Sequence, residues 1–262
     1  MSAANITGSD PGFRCLARNS NHSSHFCDTF SWRLHNRGLT PVVALRARNR
    51  NISVAIVSPN EYSRRWHETF SRNLDGSADV SFLARWLPPG RVLDVCCGFG
   101  RHKRGLEARG WEVVGVERDP EVAAAAGALC LDVRELSSIE GVFDGVICMW
   151  ASFGHFSPAE NRRVLMTMIE KLRPGGRLVL ELYNRSFFEP RQGTRTLADG
   201  VVETKRVERG RLFVHLDYPD GDVDEMEWEL FTPSAIRDAV GLTCIHEDAS
   251  REAPRMTHVF ER

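Results

Sequence analysis

The sequence predicts an α/β fold on a doubly wound, mostly parallel sheet, and three observations carry that expectation. Short apolar runs at 92–96, 113–117, 129–133, 143–150 and 177–183 alternate with helical segments, the order of strand-helix units joined by right-handed crossovers. The first run leads directly into a glycine turn, Cys97-Gly98-Phe99-Gly100, that opens a helix. The run from Phe143 to Trp150 is nearly continuously apolar, as in a strand buried on both faces. After Tyr183 the pattern changes to three alternating segments with turn signals at Arg209-Gly210 and Asp220-Gly221, which predicts a three-stranded antiparallel β insert over residues 186–231.

Taken in order, residues 1–58 are rich in Ser, Asn and Arg, with seven arginines against Asp10 and Asp28 and no sustained periodicity. A disordered or loosely attached extension is expected there, with an organellar transit segment or a later start near Val54 as the alternatives. Cys15, His22, His25 and Cys27 match no familiar zinc spacing, so no metal is expected. The folded domain is expected over 59–262. Tyr62, Trp66, Phe70 and Leu74 recur at steps of four and predict an amphipathic helix. A second helix, Ala78 to Leu87, ends at Pro88-Pro89-Gly90.

The first strand, Val92 to Cys96, is followed by a helix from about Arg101, and the second, Val113 to Glu117, by a helix from Pro120 to Gly127. The third and fourth strands are Leu129 to Val133 and Phe143 to Trp150. Ser157-Pro158-Ala159-Glu160 then reads as an N-cap, a proline at the first helical position and a capping-box glutamate. Val164, Leu165, Met168, Ile169 and Leu172 form that helix's buried face, and Arg173-Pro174-Gly175-Gly176 stops it before the fifth strand, Arg177 to Tyr183. In the insert, Met226, Trp228 and Leu230 share one face, while Glu225, Glu227 and Glu229 share the opposite, solvated one. Thr232-Pro233 starts a helix ended by Gly241, and two strands, Leu242 to Glu247 and Thr257 to Glu261, bring the main sheet to seven.

Composition narrows the function. The net charge is −1, and with the arginines concentrated before residue 59 the rest of the chain is acidic, which argues against a nucleic-acid partner. Seven cysteines, several inside predicted core strands, fit a reduced, cytoplasmic compartment. No apolar stretch is long enough to span a bilayer, so no membrane association is expected. A monomer or homodimer is expected.

At the glycine turn, a dinucleotide fingerprint starting at Gly98 would need its third glycine at position 103, which is Lys103. The junction therefore suits a nucleotide-like ligand without a pyrophosphate. Asp94 lies inside the preceding strand, and a second acid, Glu117, closes the next one.

These features together resemble the class I S-adenosylmethionine-dependent methyltransferases, over about residues 59–262. Asp94-Val-Cys-Cys-Gly-Phe-Gly100 is similar to that superfamily's first motif, an acid followed by three alternating glycines, with Cys96 in place of the first. Trp150-Ala-Ser-Phe-Gly-His-Phe156 is similar to the segment after strand four of small-molecule methyltransferases, including enzymes that methylate amines and amino sugars. The resemblance implies a Rossmann-like methyltransferase fold, S-adenosylmethionine as cofactor, S-adenosylhomocysteine as product, and a small-molecule acceptor methylated on N or O, with C also possible. A protein that binds the same cofactor for a non-methylating role is the alternative.

By that resemblance, Gly98 and Gly100, with Cys96 between strand and turn, let the backbone approach the methionine part of the cofactor. Glu117 accepts from the ribose hydroxyls, with Arg118 beside it. Asp132 and Val133 flank adenine, although a helix neighbour explains Asp132 equally. Asp94 meets the cofactor ammonium or orders the turn, and as an acid in an apolar strand it needs a partner in either case. Arg101 or His102, at a helix N-terminus, holds the cofactor carboxylate or sits on the surface. Trp150 faces the sulfonium through a cation–π contact or packs in the core. His155 is the candidate general base, or else a wall of the pocket. Phe153, Tyr183, Asn184, Arg185 and Trp228, with Tyr62 and Trp66 from the N-terminal helix, are the residues expected around the acceptor.

Overall fold

The computed structural model describes residues 67–262; the expected extension and its zinc-type residues, together with Tyr62 and Trp66, lie outside the described residues. Strands β1 (Arg91–Val95), β2 (Glu112–Glu117), β3 (Leu129–Cys130), β4 (Phe143–Cys148) and β5 (Leu172–Tyr183) are parallel to one another. The insert follows as β6 (Gly193–Thr196), β7 (Val202–Glu208), β8 (Arg211–Asp217) and β9 (Val223–Glu229), a separate antiparallel sheet in sequence order. Strands β10 (Thr243–Asp248) and β11 (Arg255–Glu261) return to the first sheet, where β11 runs antiparallel to β5. The seven-stranded order is β10-β11-β5-β4-β1-β2-β3, the doubly wound arrangement expected from the sequence.

Helices α1 (Ser77–Trp86), α2 (Arg101–Glu107), α3 (Pro120–Ala126), α4 (Pro158–Glu170), α5 (Arg185–Phe188) and α6 (Pro233–Val240) complete the described chain. The two-residue period of a strand divides the core. Leu93, Val95, Val146 and Leu178 pack with Leu165 and Met168 of α4 and Ile236 of α6, whereas Val92, Ile147 and Val179 pack with Leu83 of α1 and Leu106 of α2. Asp94, in phase with Val92, thus belongs to the α1–α2 side. The helix starts follow the sequence signals: Ser157 Oγ accepts the Glu160 N–H at 3.3 Å, and Thr232 Oγ1 accepts the Ala235 N–H at 3.2 Å.

Five local expectations need correction. The third strand stops at Cys130, because Asp132 turns the chain by capping the helical turn Val133–Ser138 and accepting the Arg134 N–H at 2.9 Å. The fourth ends at Cys148, since Trp150 and Ala151 adopt φ of 62° and 56°, outside any strand geometry. The fifth begins at Leu172, which pairs with Phe143 instead of extending α4; the proline-glycine run after it interrupts the register without ending the strand. Near the N-terminus, the helical turn His67–Ser71 ends before Leu74, and Phe70 packs against the insert. The insert has four strands, because β6, Gly-Thr-Arg-Thr, is exposed throughout and carries no apolar alternation to betray it.

Candidate functional site

A cavity of about 660 Å3 opens at the carboxyl ends of the parallel strands, where β1, β2 and β4 each give way to a loop. The β1 turn forms its floor. Cys96, Gly98 and Gly100 all adopt the left-handed backbone conformation, at φ of 58°, 54° and 75°. For Cys96 this costs roughly 1–2 kcal/mol relative to glycine, the physical price of the departure from three glycines. A Cβ at Gly98 would meet nothing within 4 Å, so the missing side chain leaves open space on the cavity floor. At Gly100 a Cβ would come within 3.0 Å of the Ala126 Cβ, so this glycine serves the packing of α3 and does not line the cavity. The two glycines therefore have different jobs.

Two carboxylates face the cavity from adjacent strands. Glu117 is buried, and its side chain accepts three backbone N–H groups, from Gly98 at 3.1 Å, Arg118 at 2.7 Å and Asp119 at 3.0 Å. It thereby ties the turn after β2 to the turn after β1 and holds its own carboxylate in one orientation. Asp94 is only 1% exposed, and its Oδ2 has no hydrogen-bond partner among the described residues. Burial raises the Asp94 pKa to about 6, against the opposing pull of His102, Arg101 and the Lys103 backbone N–H. An acceptor atom buried at a cavity wall without a donor is an unusual cost for a fold to carry.

The remaining expected cofactor residues divide by what already holds them. Asp132 lines the cavity, but Arg134 takes its carboxylate at 2.9 and 2.7 Å and lowers its pKa. Val133 and Arg118 also line it. His102 is buried, with Nε2 3.0 Å from Asp79 on α1, and Arg101 lies 3.6 Å from the same carboxylate. Trp150 has the Arg101 guanidinium at 4.8 Å from its ring centre and that of Arg255 at 5.3 Å. Two arginine cations thus already use this ring.

The Trp150 loop depends on a residue that sequence reasoning missed. Glu181, a buried acid in the apolar strand β5, accepts the Trp150 N–H at 2.6 Å and Arg255 Nε at 2.9 Å, while its carbonyl accepts the Ala151 N–H at 3.0 Å. These bonds hold two consecutive left-handed residues in place. An acid within Leu178-Val-Leu-Glu-Leu182 is the same signal that marked Asp94, and it was available in the sequence. Glu181→Ala is expected to lower unfolding stability by about 2–3 kcal/mol, since it strips a partner from Arg255 and from a buried amide. Hydrogen exchange at the Trp150 and Ala151 amides should accelerate in the same variant, and Glu181→Gln, which keeps an acceptor oxygen, should lose less. Unchanged stability and exchange in the alanine variant would refute the clamp.

On the far side, His155 is buried and its Nδ1 lies 3.2 Å from the Glu227 carbonyl of the insert. Burial lowers its pKa to about 3, so the imidazole is neutral throughout the physiological range. Its ring packs 4.9 Å from that of Trp228, and Trp228 meets Tyr183 edge-on at 5.0 Å. All three line the cavity, and burial pushes the Tyr183 phenol up to about 12. Three residues expected near the acceptor do not line it. Phe153 is stacked on Phe231 in the core, Asn184 is buried and bonded to the Ser250 and Ala253 carbonyls, and Arg185 pairs with Glu189. In each case a structural partner claims the side chain, distant in sequence for Phe153 and Asn184 and one helical turn away for Arg185. Of the β9 glutamates, Glu225 is exposed as expected, while two are only partly solvated: Glu227 binds Arg211 at 3.0 Å and Glu229 binds Asn161 at 2.7 Å.

Residues 92–176, which include the turn, both carboxylates and the Trp150 loop, match the family described as a methyltransferase domain. The chain is 29% identical over 140 residues to glycine/sarcosine N-methyltransferase of Parasynechococcus marenigrum, an alignment covering 47% of this chain and 50% of the relative. It is 30% identical over 173 residues to human glycine N-methyltransferase, covering 52% and 59% respectively. The chain thus spans about half the length of the curated relatives it matches. Among solved structures, an S-adenosylmethionine-dependent methyltransferase from Clostridium acetobutylicum superposes with a TM-score of 0.62 at 14% identity, over 75% of this chain and 96% of that one. Among the described residues no helix is long and apolar enough to cross a membrane. The chain is thus similar over residues 92–176 to a methyltransferase-domain family and shares its overall fold with a solved S-adenosylmethionine-dependent methyltransferase.

Proposed function

We propose that this protein transfers a methyl group from S-adenosylmethionine to the nitrogen or oxygen of a small-molecule acceptor, releasing S-adenosylhomocysteine. The observation that carries the reading is the pair of oriented carboxylates, Asp94 and Glu117, on one cavity with open space over Gly98. A ligand with an ammonium group at one end and a ribose diol at the other fits that pair. The Asp94 oxygen that lacks a donor gains one from the ammonium, and Glu117 accepts from the hydroxyls. S-adenosylmethionine, when bound, supplies an electrophilic methyl group on a sulfonium.

The residues around it have positioning work to do, because an in-line displacement needs donor carbon and acceptor atom aligned and water excluded. Trp150, Tyr183 and Trp228 form apolar walls, and the arginines on Trp150 lead us to assign that ring to shaping the site, not to a sulfonium contact. His155, neutral and hydrogen-bonded through Nδ1, acts as a wall and an orienting polar group; a base for neutral pH would need a pKa far above about 3. The acceptor nucleophile accordingly arrives already deprotonated or loses its proton to water.

The test is a calorimetric titration with S-adenosylmethionine and S-adenosylhomocysteine, followed by incubation with small amines, amino acids and alcohols while S-adenosylhomocysteine is quantified. Saturable binding and acceptor-dependent product are expected. Absence of cofactor binding would overturn the proposal, and binding without product across the panel would favour a non-methylating role.

A further inference from the structure

A second chamber of about 430 Å3 shares Trp150, Tyr183 and Trp228 with the larger cavity and extends under the inner face of the insert. Most of that face is apolar: Val214 and Leu216 of β8 and Met226 of β9 are buried on it. Opposite Leu216 and Val214, however, β7 places Glu203 and Lys205. Glu203 is 8% exposed, with Lys205 Nζ at 2.7 Å from one carboxylate oxygen and Arg195 Nε on the other. Each oxygen already has a cation. Around Glu203 itself two cations meet one carboxylate, and an ammonium has three donors of which Glu203 engages one. Asp199, an exposed acid, also lines the chamber, and Arg255 is balanced by Glu181.

Arg195 is exposed, but Glu203 and Lys205 are largely withdrawn from water on an apolar sheet face. Such ions are costly there, since replacing them with well-packed apolar residues is often neutral or stabilising. Such a cluster at the end of a chamber therefore points to ligand recognition. Size points the same way. The chamber alone falls in the range of about 300–1,000 Å3 that holds drug-sized ligands, so glycine, the acceptor in the names of the curated relatives, would occupy a small corner of it.

We infer that the second chamber holds the part of the acceptor remote from the methylated atom, and that this part is an apolar body ending in a carboxylate bound by Lys205 and Arg195. The inference rests on the methyl-transfer reading for the word acceptor, but the chamber's preference for an anion can be measured without it.

The probes are 3-phenylpropionate, its uncharged analogue 3-phenylpropionamide, and glycine, titrated by ligand-observed NMR against the full chain with and without S-adenosylhomocysteine. The acid is expected to bind at least about tenfold more tightly than the amide or glycine. Lys205→Met should remove about that factor for the acid, leave the amide unchanged, and leave S-adenosylhomocysteine binding intact; Lys205→Arg should restore the acid. If the single variant fails to fold because Glu203 is left half-paired, Lys205→Met with Glu203→Gln keeps the site neutral and carries the same expectation. Equal binding of acid and amide, no binding of the acid at millimolar concentration, or full affinity in the methionine variant would overturn the inference. Failure of S-adenosylhomocysteine to bind would instead count against the proposed function, since the probes are also read in its absence.

Discussion

Asp94→Asn is expected to raise the stability of the ligand-free protein at pH 8 while weakening S-adenosylmethionine binding by about 10- to 100-fold. Both effects come from one atom. Asp94 is almost fully buried, with a pKa raised from 3.8 to about 6 chiefly by desolvation. A carboxyl group whose pKa is higher folded than unfolded stabilises the fold in its protonated state, so its contribution is complete below about pH 4 and is lost as pH rises through about 6. A shift of about two units corresponds to about 3 kcal/mol at pH 8. The asparagine variant has no charge to bury, so its melting temperature should exceed that of the wild type at pH 8 by several degrees and match it more closely at pH 4.5. In the complex the sign reverses. A hydrogen bond between a carboxylate and an ammonium contributes roughly 1.5–3 kcal/mol, and the asparagine cannot supply its charged part. Thermal melting at two pH values and calorimetric titration check both halves; a wild type whose stability does not fall between pH 5 and 8 would refute the buried charge.

Glu117→Ala should weaken S-adenosylmethionine by at least about tenfold and also loosen the apo site. The carboxylate bonds the Gly98, Arg118 and Asp119 amides and so joins two loops that approach the cavity from different strands. Its loss leaves those donors to water and removes the acceptor we assign to the ribose hydroxyls. Charge-assisted bonds of this kind contribute roughly 1.5–3 kcal/mol each. Calorimetry gives the affinity, and hydrogen exchange at Gly98 reports the loop. A dissociation constant within about twofold of the wild type would sink the ribose assignment even if the loop had loosened. Comparison with the Asp94 variant separates the two ends of the ligand, because deoxygenated ribose analogues should rescue neither protein equally: the Glu117 variant becomes insensitive to the missing hydroxyl, and the Asp94 variant does not.

Much of the fold was legible because its signals are local. The Ser157 and Thr232 caps and the apolar runs lie within a few residues of what they specify, and the structure places those helices and central strands accordingly. Errors arose where a distant partner or a silent stretch decided the outcome. Strand β6 has no buried side chain, so no alternation marked it. The Leu172 strand start required Phe143 as its neighbour. Asn184 and Phe153 read as site residues from position alone, yet the chain around Ser250 and Phe231 claims them.

The sequence by itself determined the doubly wound sheet, the glycine turn with Cys96 in it, and the two acids Asp94 and Glu117 that flank it. These follow from periodicity and from residue types at strand ends. Only the tertiary structure decided that Gly98 faces the cavity while Gly100 packs a helix, that Glu181 fixes Trp150 across 31 residues and binds Arg255 across 74, and that His155 is buried against an insert strand 72 residues away. A side chain's charge state and partners depend on which remote segments surround it, and that environment exists only after the sheet and the insert have closed around the cavity.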